Sequence, residues 1–179
     1  MGEPTAPSPV KLIAGLLASD EEVIRSALVK LQEGFGHIDL SSETLPFDMT
    51  DYYREEMGEG LVRQWVSFSR LIDPAELDEI KRATNDLEHF FATAGRARRI
   101  NIDPGYISLG NLVLASTKPS AHRVYLGRGI YAEVTLIWSD GGFKPLEWTY
   151  PDYRSDVATE FFGEVRELYR GQLREFAHD

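Results

Sequence analysis

Residues 10–36 read VKLIAGLLASDEEVIRSALVKLQEGFG, and their reading decides the fold. The opening run, Val10 to Ala18, is nearly all apolar. A short apolar run that leads into a helix predicts a strand buried on both faces. Ser19 then opens S-x-x-E with Glu22, the pattern in which each side chain satisfies a free backbone amide at a helix start. Val23, Ile24, Ala27, Leu28, Leu31 and Phe35 recur at helical spacing and predict one buried face. Gly34 and Gly36 end the helix.

Outward from this β-α unit, residues 37–48 read as an extended segment, with Pro46 marking an edge or strand end. Residues 49–60 are polar and glycine-terminated and predict a loop or one helical turn. Leu61 to Ile72 is rich in β-branched and aromatic residues and predicts a strand. Asp73-Pro74 with Glu76 is a helix start, an acidic cap with proline at the first helical position. Leu77, Ile80, Leu87 and Phe91 continue that helix, with Phe90 beside them, and Gly95 stops it. Residues 96–102 (RARRINI) predict a strand with a basic lead, and Asp103-Pro104-Gly105 predicts a turn. Ser108 to Ser116 fits a short helix capped by Ser108 or a strand through Leu112, Val113 and Leu114.

Two strands, His122 to Leu126 and Ile130 to Trp138, flank the hairpin turn Gly127-Arg128-Gly129. Strict alternation places Ile130, Ala132, Val134, Leu136 and Trp138 on one face and Tyr131, Glu133, Thr135 and Ile137 on the other. Asp140-Gly141-Gly142 turns into a short strand at Phe143. A last helix, capped by Ser155, is expected to bury Val157, Phe161, Val165, Leu168, Tyr169 and Phe176. The order predicts an α+β fold: a ferredoxin-like split β-α-β sheet, helices on one face, extended by a C-terminal β-hairpin and a final helix.

The 179 residues suffice for one domain, 10–179, behind a proline-rich stretch, 1–9, that reads as a disordered tail. A net charge of −10 disfavours nucleic acid or an anionic membrane as partner, because both repel a negative surface. The chain has no cysteine, which removes disulfide and thiolate chemistry and fits a reducing cytoplasm. No apolar run approaches the roughly 20 residues of a membrane helix, so a soluble protein is expected.

Side chains able to hold a ligand crowd into residues 118–154. Lys118, Arg123 and Arg154 are candidates to hold a phosphate or carboxylate, and His122 to move protons. Glu133 and Asp51 are candidate acid-base partners of His122, and with Asp48 they are the candidate oxygen ligands of a divalent metal. Tyr53, Tyr106, Tyr125 and Tyr131, with Asp152, are candidate ligand contacts, since a tyrosine offers a flat apolar face and a polar tip. Each residue also has a plainer use. Arg123 can pair with a strand neighbour such as Glu133, Asp48 and Asp51 can cap helices, and tyrosines can pack a sheet face.

The expected function is binding of a small anionic, phosphate- or nucleotide-like molecule, with the enzyme question open. The alternative is a protein-protein interaction or homodimerisation module, which the aromatic excess also fits. The ligand-site reading carries a contact expectation: HRVYLGRGIYAEV (122–134) is expected to border FDMTDYY (47–53) and WTYPDYR (148–154).

Four phrases carry a resemblance: PFDMTDYYREEMG (46–58), NIDPGYISLGNLVLAST (101–117), HRVYLGRGIYAEVTL (122–136) and WTYPDYRS (148–155). Together they resemble the prokaryotic domain-of-unknown-function 4416 family over almost the whole chain after the tail. The resemblance implies a length and a family, and no ligand set or reaction. Some members are labelled GTP-binding, and the chain has no G-x-x-x-x-G-K-[ST] loop to support that label.

Overall fold

The computed structural model describes residues 2–49, 53–92 and 98–176. In chain order the elements are β1 (Val10–Ala18), α1 (Glu21–Phe35), β2 (Ile38–Ser41), β3 (Leu45–Pro46), α2 (Arg54–Met57) and β4 (Val62–Ile72). There follow α3 (Leu77–Phe91), β5 (Ile100–Ile107), β6 (Asn111–Ser116), β7 (Val124–Gly127), β8 (Ile130–Ser139), β9 (Gly142–Pro145) and α4 (Asp156–Phe176). The strands form one nine-stranded sheet in the order β2-β4-β1-β5-β6-β8-β7, with β3 beside β4 and β9 beside β8. Every pairing is antiparallel. The fold is thus a mixed α/β domain of three long helices, the single turn α2 and one sheet.

β1 is the spine, with every residue buried. Its even-numbered residues pack with Val23, Ile24, Ala27 and Leu31 of α1 and Ile80 of α3. On the opposite face Ile13 packs with Trp65 and with Ala158, Phe161, Phe162, Val165 and Tyr169 of α4. Helices therefore cover both faces, not the single face expected. The cause lies in β1 itself: a strand apolar at alternate and intervening positions leaves neither face fit for water. Residues 2–9 form no regular element, and the Pro9 carbonyl accepts the Tyr169 hydroxyl at 2.8 Å. Among the described residues no helix is long and apolar enough to cross a membrane.

Local signals act where the sequence places them, with small shifts. α1 is capped by Asp20, which accepts from the Val23 amide at 2.9 Å, while Ser19 bonds to Asp20. Gly36 ends the helix at φ 99°, a conformation that favours glycine. Asp73 and Glu76 form the expected capping box. Ser155 caps α4 by accepting from the Ala158 amide. Within α4 the buried stripe runs through Ala158, Phe162, Val165 and Tyr169, so Val157 and Leu168 face water instead of the core. Phe90 is likewise exposed.

Two expectations fail for reasons that matter below. Asp103-Pro104-Gly105 is no turn but the middle of β5, where Ala14 opposes Pro104. β8 does not keep one face. Val113 pairs with Val134 and Leu112 with Leu136, so Thr135 is an extra residue, a β-bulge. Ile130, Ala132 and Val134 consequently pack beside Leu77 of α3, whereas Leu136 and Trp138 join the α4 side. The open choice at 108–116 resolves as a strand: Ser108 accepts from the Gly110 and Asn111 amides in a turn, and β6 follows.

Candidate functional site

The sheet comes apart between β5 and β6. β5 is paired with β1 along its whole length, and β6 with β8. The two meet only at Gly105–Leu114, Tyr106–Val113 and Ile107–Leu112. Gly105 permits this tight crossing, since a Cβ there would lie 2.2 Å from the Val113 carbonyl oxygen. Beyond it, residues 100–104 have no strand partner on the β6 side. The backbone of Ile102 is satisfied by α3 instead: its amide donates to Glu88 Oε1 at 2.7 Å, and its carbonyl accepts from Lys81 Nζ at 2.7 Å. Pro104, two residues on, faces the same way by strand period and has no N–H to offer β6.

The opening forms a cleft of about 230 Å³. α3 contributes Lys81, Asn85, Glu88 and His89; β5 contributes Asn101 and Asp103; β6 and its following loop contribute Leu114 to Lys118. Tyr53, Arg98, Glu133 and Tyr150 complete the wall. Asp103 sits between cations on both sides of the sheet, 4.0 Å from Lys81 Nζ and 3.7 Å from Arg63 Nη1, and accepts from Asn101 Nδ2 at 2.7 Å. Arg98 reaches Glu56 and Glu88 through its terminal nitrogens and lies over the Tyr53 ring, while its buried Nε has no partner among the described residues. Burial raises the Glu88 pKa, against the opposing pull of Lys81, the Ile102 amide and Arg98. Burial also raises both phenols in the wall, Tyr53 and Tyr150.

The bulge in β8 builds the other rim. It frees two carbonyls, and both are taken by the segment expected to lie there: Val134 accepts from Trp148 Nε1 at 2.8 Å, and Thr135 from Thr149 Oγ1. Trp148 is thereby laid flat on His122, ring centroids 5.0 Å apart. Tyr150 is brought to Arg123, whose Nη2 donates to its hydroxyl at 2.7 Å. Glu133, only 2% exposed, accepts from Arg123 Nε at 2.7 Å and faces His122 Nε2 at 3.2 Å, both on Oε2. Behind the cleft Arg63 is buried against Asp152, Nη2 to Oδ2 2.7 Å. Its Nε and Nη1, the Trp65 indole nitrogen and the Tyr153 hydroxyl are buried with no hydrogen-bond partner among the described residues.

The structure thus brings His122, Arg123, Glu133, Lys118 and Tyr53 to one region. Segment 122–134 borders 148–154 directly, and 47–53 reaches the same cleft through Tyr53. Other candidates go elsewhere. Arg154 clamps the carbonyls of Leu146, Glu147 and Thr149. Asp152 is the buried partner of Arg63. Tyr125 and Tyr131 pack on each other in the hairpin, 5.2 Å between centroids. Tyr106 packs against the core on the α3 side. Asp48 is exposed, and Asp51 lies outside the described residues. Among the described residues no group of three His, Asp or Glu is arranged to hold a metal ion.

Lys81, Glu88 and Asp103 had no place in a reading by motif. Their signal was present in α3: Leu77, Ile80, Lys81, Thr84 and Glu88 share the buried helical face, so a stripe that starts apolar turns charged. Charges in a core stripe are seldom buried without a specific partner.

The chain belongs to the family described as a domain of unknown function (DUF4416), which matches residues 8–169. No curated protein and no solved structure matches it.

Proposed function

We propose that this DUF4416 chain binds a small anionic molecule, phosphate- or carboxylate-bearing, in the cleft where β5 leaves β6. One observation carries the reading: two buried charged side chains, Lys81 and Glu88, stand in for the missing strand and hold the sheet open. Desolvating charges is costly, whereas continuing the β5–β6 ladder would satisfy the same backbone groups without them. An opening kept at that cost has a use. Lys81, Arg98 and Lys118 provide cations around the cleft, and Tyr53 and Tyr150 provide ring faces. With a volume of about 230 Å³, the cleft takes a small metabolite whole but only the phosphate end of a nucleotide. His122 beside Glu133 supplies a group able to move protons at the rim.

The test is a thermal-shift series with inorganic phosphate, sugar phosphates, nucleotides and small carboxylates on the wild type and Lys118→Ala. A ligand that binds only the folded state raises Tm with concentration, and Lys118→Ala removes the shift. A folded wild type whose Tm no compound moves sinks the reading.

A second reading rests on β7. It is a free sheet edge on which Val124, Tyr125 and Leu126 are all exposed, and natural edges are usually blunted against pairing. Pairing of β7 with β7 of a second copy would make a homodimer. A monomer in light scattering at high concentration rejects it. For the fold, we read β2-β4-β1-β5 with α1 and α3 as the ferredoxin-like core and β6 to β9 with α4 as its extension. For location we retain the cytoplasm of a prokaryote, which the cysteine-free composition fits.

A further inference from the structure

We infer that Ser120 is a nucleophile that accepts an acyl group from an ester, with His122 as its base and Glu133 as the positioning residue. Ser120 Oγ lies 3.0 Å from His122 Nδ1, and His122 Nε2 lies 3.2 Å from Glu133 Oε2. The wiring of the ring follows from its neighbours. Glu133 Oε2 already accepts from the Arg123 guanidinium, so it presents no proton to the imidazole. The nitrogen facing it, Nε2, therefore carries the ring proton, and Nδ1 is left with its lone pair toward Ser120. In the neutral ring the serine hydroxyl donates to it. Nucleophile, base and buried carboxylate stand in the order of the Ser-His-Asp template with the two ring nitrogens exchanged, Nδ1 toward the serine and Nε2 toward the carboxylate, and such a constellation is identified by roles, not by chain order.

Three contacts hold the arrangement. Trp148 stacks on the imidazole with an interplanar angle of 9°, which fixes the ring plane. The Arg123 amide donates to the Ser120 carbonyl at 3.2 Å and closes the turn that carries both residues. Arg123 Nη1 donates to the Lys118 carbonyl at 2.9 Å and ties the start of the same loop to the same cation. Ser120 itself is exposed, open to an incoming ester, while Glu133 is buried.

In the reaction Ser120 Oγ bonds to the ester carbonyl carbon as its proton passes to His122 Nδ1. The tetrahedral intermediate collapses, the ester C–O bond breaks, and the alcohol leaves with that proton. Water then attacks the acyl-serine by the same route, releases the acid and restores the hydroxyl. This chemistry goes beyond ligand binding in the cleft and does not require it.

The experiment exposes the full chain to a fluorophosphonate probe, with peptide mapping of the adduct and p-nitrophenyl acetate as reporter ester. The wild type is expected to gain one adduct, on Ser120, and Ser120→Ala none. His122→Phe keeps an aromatic ring on Trp148 but no base, and is expected to react about a hundredfold more slowly or worse. Nitrogen NMR of the wild-type imidazole is expected to show the proton on Nε2, and Glu133→Gln to shift it toward Nδ1 with loss of labelling. A folded wild type that takes no probe, an adduct on another residue, a reactive His122→Phe or a wild-type proton on Nδ1 each overturns the inference. The imidazole signal is read on the wild type, so it decides even if a variant fails to fold.

Discussion

Replacing Glu88 tests whether a carboxylate really does a strand's work in this sheet. Its Oε1 accepts the Ile102 amide at 2.7 Å, its Oε2 lies 3.4 Å from Arg98 Nη1, and Lys81 Nζ is 3.9 Å away. Glu88→Ala leaves the Ile102 amide buried without an acceptor, a loss of about 1–3 kcal/mol. It also strips Lys81 of a carboxylate, and removing one partner of a buried pair costs about 3–5 kcal/mol in all. Lys81 keeps the Ile102 carbonyl and the Asp103 contact at 4.0 Å, which places the sum at the low end, about 3 kcal/mol. Glu88→Gln still offers an amide oxygen to Ile102 and is expected to lose only about 1 kcal/mol. Urea unfolding at neutral pH reads both numbers, and amide exchange at Ile102 reads the cause. The amide is expected to stay protected in the wild type and in Glu88→Gln and to exchange freely in Glu88→Ala. If Glu88→Ala lies within about 0.5 kcal/mol of wild type with Ile102 still protected, something other than Glu88 satisfies β5 and the account of the split is wrong.

Three further outcomes are expected. Gly105→Ala forces a Cβ to within 2.2 Å of the Val113 carbonyl and 2.7 Å of Leu114 Cδ2, so β5 and β6 must part; unfolding is expected to show a loss of about 3 kcal/mol or more. Tyr153→Phe removes a buried hydroxyl that no hydrogen bond of normal geometry satisfies among the described residues, and thermal unfolding is expected to find it neutral or slightly stabilising, within about 0.5 kcal/mol. Glu88 has a folded pKa raised above 4.5, chiefly by burial, so between 4.5 and that raised value the native state holds more protons than the unfolded one. Its contribution to stability is therefore complete below 4.5 and falls as pH rises; the deficit of Glu88→Gln relative to wild type, followed by urea unfolding, is expected to shrink over the same range.

Signals confined to one element were legible in the sequence. The apolar run of β1, the Asp73–Glu76 box and the Gly127–Gly129 turn each act through neighbours in the chain, and each stands where it was read. The meeting of 122–134 with 148–154 was legible too, because polar groups gathered in both phrases need partners. What escaped reading depends on a partner strand. Asp-Pro-Gly is turn chemistry in isolation, and only β1 on one side and α3 on the other make it the middle of a strand. Alternation along β8 holds until Thr135, and nothing in residues 130–138 marks the position at which β6 skips a residue. Lys81 and Glu88 were readable as charges in an apolar stripe, but their target, the backbone of Ile102, lies in another element.

The two irregularities are complementary. A regular continuation of β5 along β6 would bring residues 100–103 against 116–119 and leave no cleft; Pro104 breaks that ladder from one side, and α3 fills the vacant bonds. A regular β8 would keep the carbonyls of Val134 and Thr135 within its pleat; the bulge turns them out, and Trp148 and Thr149 are drawn in to meet them. The first departure opens a space and the second supplies its rim, with Tyr150 on Arg123 and Trp148 on His122. Each departure forgoes strand pairing and then satisfies the freed backbone with side chains from a different element, at the expense of buried charge in one case. Regular pairing is the cheaper solution for a sheet, and it is these two compensated breaks converging on one cleft, with a buried carboxylate facing a histidine at its mouth, on which the binding proposal rests.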